Sequence, residues 1–318
     1  MVYDHLSMKN VALILFAFTP ILFAQQPAPK PSKATNPPLE LAITFDDLPA
    51  HGPLPPGVTR MDVARKIIRA LEDSHVPPTY GFVNGLGVEH QPADIAVLRA
   101  WHDAGNPLGN HTWSHMNLNQ HTHDEFDAEV ERNEPILKQV MDSGDWHWFR
   151  FPYLAEGETP PKHDAVRAFL FERGYKIAAV TMSFADYSWN APYARCATKS
   201  DSKAIGVLEN SYLSAAEENI TFYRTLSQSL FHRDIPYVLL MHIGALDAEL
   251  LPRLLALYRS KGFEFVSLAG AESDDFYKVA TDRDAPSGPD SLEGVASERH
   301  IPLPPRTSYD QQLESICR

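Results

Sequence analysis

The stretch Leu41-Ala42-Ile43-Thr44-Phe45-Asp46-Asp47 decides how the chain is read. Residues 41–45 form a short apolar run, which reads as a buried strand, and it ends on two adjacent carboxylates. Burying charge is costly unless the charge is paired or binds a metal. Downstream, His111-Thr112-Trp113-Ser114-His115 places two histidines four residues apart, a spacing that sets both rings on one face of a helix. One carboxylate and two imidazoles make a common hydrolytic zinc set, with one position left for water. Alone, the histidine pair is weak evidence. The chain has 14 histidines, and two partly exposed ones at a helix start would show the same spacing.

Working outward, the pattern alternates between strands and helices. Strands are expected at residues 41–45, 80–83, 148–151, 176–182, 237–241 and 263–268. Helices are expected at 61–73, 92–104, 122–141, 164–173, 201–231 and 248–260, the long one with a break near Asn210. Thr122 and Glu125 have the spacing of a capping box, and Gly105 and Gly174 fit helix ends. Such alternation builds parallel βαβ units. Strands that each end in a polar residue fit a barrel whose site lies at the strands' C-terminal ends. Those polar ends are Asp46-Asp47, His111 with His115, Arg150, Asp186 and His242. Each has a plain structural explanation, such as a buried Arg–Asp pair or a core histidine. Five together, on successive units, point to one site.

The chain of 318 residues is 44% hydrophobic and 22% charged, the balance of a soluble globular protein. Its net charge of −13 argues against a nucleic-acid surface, which needs a basic stripe. Residues 11–24 form an apolar run after Lys9, too short to span a bilayer core of about 30 Å. Residues 1–24 read as a secretory signal peptide, with a membrane anchor as the alternative, and the Pro-rich residues 25–38 as a linker. Residues 39–270 would be the catalytic domain. Beyond Gly270 the periodicity fades, and residues 271–318 are either a tail packed on the barrel or a poorly ordered extension. Cys196 and Cys317 are the only cysteines, and an exported protein could pair them; the spacing leaves that open.

The motifs resemble those of the polysaccharide deacetylase family, the NodB-homology or carbohydrate esterase family 4 enzymes. Thr44-Phe45-Asp46-Asp47 looks like the first motif, His111–His115 the second, Arg150-Phe151-Pro152-Tyr153 the third and Leu240-Met241-His242 the fifth. Two departures stand out. The first motif usually continues with Gly, where this chain has Leu48-Pro49. The fourth, D-x-x-D-W, is matched best by Ser183-Phe184-Ala185-Asp186-Tyr187, with Trp189 offering another register.

The resemblance implies a distorted (β/α) barrel of the NodB type, an exported protein, and a divalent metal, zinc first, held by Asp47, His111 and His115. It implies Asp46 as base, Arg150 as its partner and His242 as general acid supported by Asp186. Tyr153 would offer a backbone N–H to the oxyanion, and Leu240 with Tyr187 a slot for the acetyl methyl. The substrate would be an acetylated glycan such as peptidoglycan or a chitin-like oligosaccharide, at N-acetyl or O-acetyl groups. A monomer with no integral membrane partner is expected. A barrel amidase acting on a small non-sugar molecule and a non-catalytic glycan-binding protein are the competing readings.

Overall fold

The structure, a computed structural model, describes residues 38–318. The expected signal peptide and nearly all of the linker lie outside the described residues. Seven strands form one sheet: β1 (Leu39–Leu48), β2 (Gly81–Val83), β3 (Leu108–Asn110), β4 (Trp148–Phe149), β5 (Lys176–Ile177), β6 (Tyr237–His242) and β7 (Phe263–Phe265). Every pairing is parallel, in the order β5-β4-β3-β2-β1-β6, with β7 against the first residues of β1. β1 is the hub, since it pairs with β2, β6 and β7. Leu41, Ala42 and Phe45 are fully buried, because a parallel strand covered on both faces reads as a continuous apolar run. Past β5, Met182 bridges to Leu239 of β6, so the sheet curls towards closure. This is the distorted (β/α) barrel that the alternation and the motifs led us to expect.

Several strands are shorter than the sequence suggests, for identifiable reasons. The strand expected at 176–182 keeps only Lys176–Ile177. Beyond it the ladder groups go to side chains: the Ala178 carbonyl accepts from Arg150 Nε, and the Ala179 N–H donates to Glu272. The run at 263–268 stops at Phe265 because Ser267 caps the short helix Leu268–Ala271.

The principal helices surrounding the sheet are Arg60–Asp73, Ile95–Asp103, His123–Met141, Pro160–Glu172, Ser202–Phe231 and Ala245–Ser260. Thr59–Asp62 and Thr122–Glu125 both form capping boxes. Pro160 opens its helix four residues ahead of the expected start, in the first-turn position where a missing N–H is harmless. The break expected near Asn210 does not occur; Ser202–Phe231 runs unbroken for 30 residues.

Residues 271–318 pack on the barrel. Tyr277, Leu292, Ala296 and Leu313 are buried, and the helices Leu292–Glu298 and Asp310–Ser315 lie in this segment. Cys196 and Cys317 are disulfide-bonded with Cα atoms 5.2 Å apart. Arg195, beside the first cysteine, donates to the carbonyls of Leu313 and Ile316. Among the described residues, no helix is long and apolar enough to cross a membrane.

Candidate active site

The C-terminal ends of β1, β3, β4 and β6 converge, and each delivers polar side chains. β1 carries Asp46 and Asp47, neighbours that point in different directions. Asp47 adopts φ +67°, a left-handed turn that swings its carboxylate away from the ladder. Asp46 remains paired with His242 of β6 and is 2% exposed.

The histidine pair is not helical, contrary to the expectation from its spacing. Residues 111–115 form a loop after β3, with Thr112 at φ +61° and His115 at φ +60°. Side chains supply the hydrogen bonds that a helix would have used. Asn110 accepts from the Thr112 N–H, Asn84 donates to the carbonyls of His111 and Thr112, and Glu129 accepts from the Ser114 N–H and hydroxyl. Trp113 packs over Gly85, where a Cβ would come within 2.2 Å of the ring. The loop still brings both imidazoles together, with ring centroids 4.9 Å apart.

Asp47 Oδ1 lies 3.6 Å from His111 Nε2 and 3.4 Å from His115 Nε2. This oxygen is buried and has no hydrogen-bond donor. His111 Nδ1–H donates to the Arg150 carbonyl at 2.7 Å, which leaves a lone pair on Nε2 facing Asp47. Burial pulls both histidines down to about 4, His115 further opposed by His111, so both are neutral near pH 7. A neutral imidazole pair and an orphaned carboxylate oxygen, mutually within 4.8 Å, are a donor set suited to a divalent cation such as zinc.

Behind this triad lies the Arg150–Asp46 pair. Arg150 is 1% exposed and each nitrogen of its guanidinium has an acceptor: Nη1 donates to Asp46 at 3.2 Å, Nη2 to Thr44 Oγ1 at 3.1 Å and Nε to the Ala178 carbonyl at 2.7 Å. Burial raises the Asp46 carboxyl to about 6, and Arg150 opposes the rise. For Asp47, burial also pushes upward, but the His51 hydrogen bond and the surrounding histidines outweigh it and hold the carboxyl well below the usual range.

On the far side, His242 Nδ1–H donates to Asp186 Oδ1 at 3.0 Å, and the His242 backbone N–H donates to Oδ2 at 2.6 Å. Burial disfavours the imidazolium, yet the Asp186 carboxylate prevails and raises His242 to about 10. Trp189, the other candidate register, is buried with its Nε1 on Ser211, away from His242. Leu240 is buried two residues before His242 on the same strand face, and the half-exposed Tyr187 ring lies 5.1 Å from His242. Tyr153, at φ +59°, holds its exposed ring tilted against His115, with centroids 4.4 Å apart.

His51 was not singled out for a role by sequence, although it shares the site. Its Nδ1–H donates to Asp47 Oδ2 at 2.6 Å, and its ring stands 4.8 Å from His242. A histidine four residues after Asp47, where the motif departs from its usual glycine, was the available signal.

The polysaccharide deacetylase family model matches residues 33–167. A peptidoglycan-N-acetylglucosamine deacetylase from Bacillus cereus is 30% identical over 101 residues, 32% of this chain and 32% of that protein. The match therefore spans about a third of that relative's length. The chitin deacetylase of the fungal pathogen Colletotrichum lindemuthianum superposes with a TM-score of 0.52 at 20% identity, covering 74% of this chain and 87% of that one. A carbohydrate esterase family 4 pseudoenzyme from Bacillus anthracis gives 0.52 at 14% identity, covering 74% and 65%. At these identities the two structures bear on the fold alone. Residues 33–167, which carry the first three motifs, are thus similar to the polysaccharide deacetylase family, and the described part of that stretch lies on the curled parallel sheet.

Proposed function

We propose that this protein is a metal-dependent hydrolase that removes acetyl groups from an extracytoplasmic glycan, at N-acetyl groups foremost. The observation that carries the reading is the division of labour around one point. The triad Asp47, His111 and His115 offers an unpartnered ligand set, Asp46 with Arg150 stands behind it, and His242 with Asp186 faces it.

Asp47, His111 and His115 would hold the divalent cation, which supplies Lewis-acid polarisation of an acyl carbonyl and acidifies a water. Asp46, ionised and oriented by Arg150, would take the proton of the attacking water. The Tyr153 backbone N–H would donate to the developing oxyanion. His242, kept protonated by Asp186, would deliver a proton to the leaving amine, so that acetate and a free amine result. Leu240 and Tyr187, each beside His242, would receive the acetyl methyl. The exposed rings of Tyr153 and Tyr187 suit the stacking of sugar rings in an open site. The disulfide between Cys196 and Cys317 supports an oxidising compartment outside the cytoplasm.

Fold alone does not confer turnover, since a pseudoenzyme shares this architecture. The test is acetate release from a panel of acetylated substrates: peptidoglycan, chitin oligomers, acetylated xylan and small acylated amines. Release from a polymeric glycan supports the proposal. Release from the small amines alone would favour the amidase reading, and glycan binding without any acetate would favour a non-catalytic role.

A further inference from the structure

The loop after β1 brings a fourth histidine to the site. Where the family's first motif usually continues with glycine, this chain runs Leu48-Pro49-Ala50-His51-Gly52. The loop is tied at both ends. The Leu48 carbonyl accepts the Asn84 N–H at 3.0 Å, and the His51 N–H donates to the Ile243 carbonyl at 3.1 Å, one residue past His242. His51 is therefore held by the backbone just past β6.

We propose that His51 is a positioning residue for the metal carboxylate: it locks Asp47 so that only Oδ1 is presented to the cation. This inference rests on Asp47, His111 and His115 being the metal site. The two oxygens of Asp47 are already divided. Oδ2 accepts the His51 Nδ1–H at 2.6 Å, whereas Oδ1 has no donor and faces the two Nε2 atoms at 3.6 Å and 3.4 Å. A carboxylate at the end of a strand would otherwise rotate about its last bond and exchange oxygens. A short hydrogen bond to an ionised acceptor removes that freedom. Asp47 needs such a support because it sits on a left-handed turn, outside the ladder that orders Asp46. Polar partners behind metal ligands typically contribute 10–100-fold in metal affinity.

The same ring limits what else can bind. Asp47, His51 and His242 have ligand atoms within 4.8 Å of one another and could themselves surround a cation. His51 Nδ1 is bonded to Asp47 and His242 Nδ1 to Asp186, so only the two Nε2 atoms could serve such a site, and on the present proposal it holds no ion. His51 instead closes the flank of the site between Asp47, His242 and Tyr187, whose ring centroid is 6.1 Å away.

The test is zinc binding by the metal-free protein, measured by competition with a chromophoric chelator. The proteins compared are the parent, His51→Ala and His51→Asn, each checked for folding by circular dichroism. Asparagine carries an N–H on the atom corresponding to Nδ1, so it can keep the bond to Oδ2 without an imidazole ring. The parent should bind one equivalent. His51→Ala should still bind one, but about 10–100-fold more weakly, and His51→Asn should recover most of the difference. Parent-like affinity in His51→Ala would overturn the inference while leaving the metal site intact. Equal weakness in both variants, or a second zinc equivalent in the parent that disappears with His51, would make the ring itself a ligand and overturn it too. A parent protein that takes up no zinc would remove the metal reading and this inference together.

Discussion

Replacing Arg150 with methionine tests the link between burial and chemistry. Methionine keeps an apolar stem beside the Phe82 ring, over which the guanidinium now sits at 4.8 Å, but it removes the charge and all donors. Asp46, Thr44 and the Ala178 carbonyl each lose a partner inside the barrel. Breaking one side of a buried pair costs about 3–5 kcal/mol of stability. The larger consequence is for Asp46. With its carboxyl raised by burial to about 6, it is roughly nine-tenths ionised at pH 7. An adjacent arginine lowers a carboxyl by about 1–3 units. Its loss puts Asp46 between about 7 and 9, and the ionised fraction at pH 7 falls to between about a half and a hundredth. A base must be ionised to act, so the acid limb of the pH–rate profile moves upward. His242, protonated up to about 10, leaves a window near pH 9 in which the variant regains activity. A bound cation would draw the acid limb down in both proteins, so the displacement between them is the readout. The assay is kcat against pH from 5 to 10 for metal-loaded parent and variant, with urea unfolding alongside. An acid limb that stays in place, with activity equally low at pH 7 and pH 9, would mean that Arg150 does not keep Asp46 ionised.

The two aspartates should separate cleanly. Asp47→Asn should lose zinc affinity and activity together, whereas Asp46→Asn should keep the metal and lose about 10²–10⁴ in rate; metal content and kcat decide, and the reverse pattern would exchange the roles. Asp186→Asn removes the anion that holds His242 protonated, so the alkaline limb should move to lower pH by about 1–3 units, with the acid limb unchanged. Cys317→Ser opens a loop of sequence separation 121 and should cost about 2–5 kcal/mol in urea unfolding, together with increased amide exchange in helix Asp310–Ser315.

The site was legible where a residue's chemistry depends on its strand. β1 and β6 are apolar runs long enough to be read directly, so Asp46, Asp47 and His242 followed from where those runs stop. Arg150 was legible through the same logic, although β4 is only two residues long. The histidine pair shows the limit of periodicity. Its two rings do come together beside Asp47, but helical spacing gave the wrong backbone. Asn84, Asn110 and Glu129 stabilise a loop with two left-handed residues; Asn110 is a near neighbour, but Asn84 and Glu129 lie 15 to 28 residues away in sequence. His51 escaped for a related reason. A Pro- and Gly-rich loop carries no period, and only the anchor to Ile243 turns it into the site. The packing of residues 271–318 was not legible because it rests on scattered contacts: a distant disulfide, carbonyls accepting from Arg195, and single buried side chains such as Tyr277 and Leu292.

The most direct measurement is a zinc titration of the metal-free protein with acetate release from a chitin oligomer or peptidoglycan as the signal. Release should be negligible without metal, rise in proportion to added zinc and level off at one equivalent per chain, with His111→Ala and His115→Ala flat throughout. Acetate release that is undiminished in the metal-free protein, or none at one bound equivalent across the glycan panel, would contradict the proposed function.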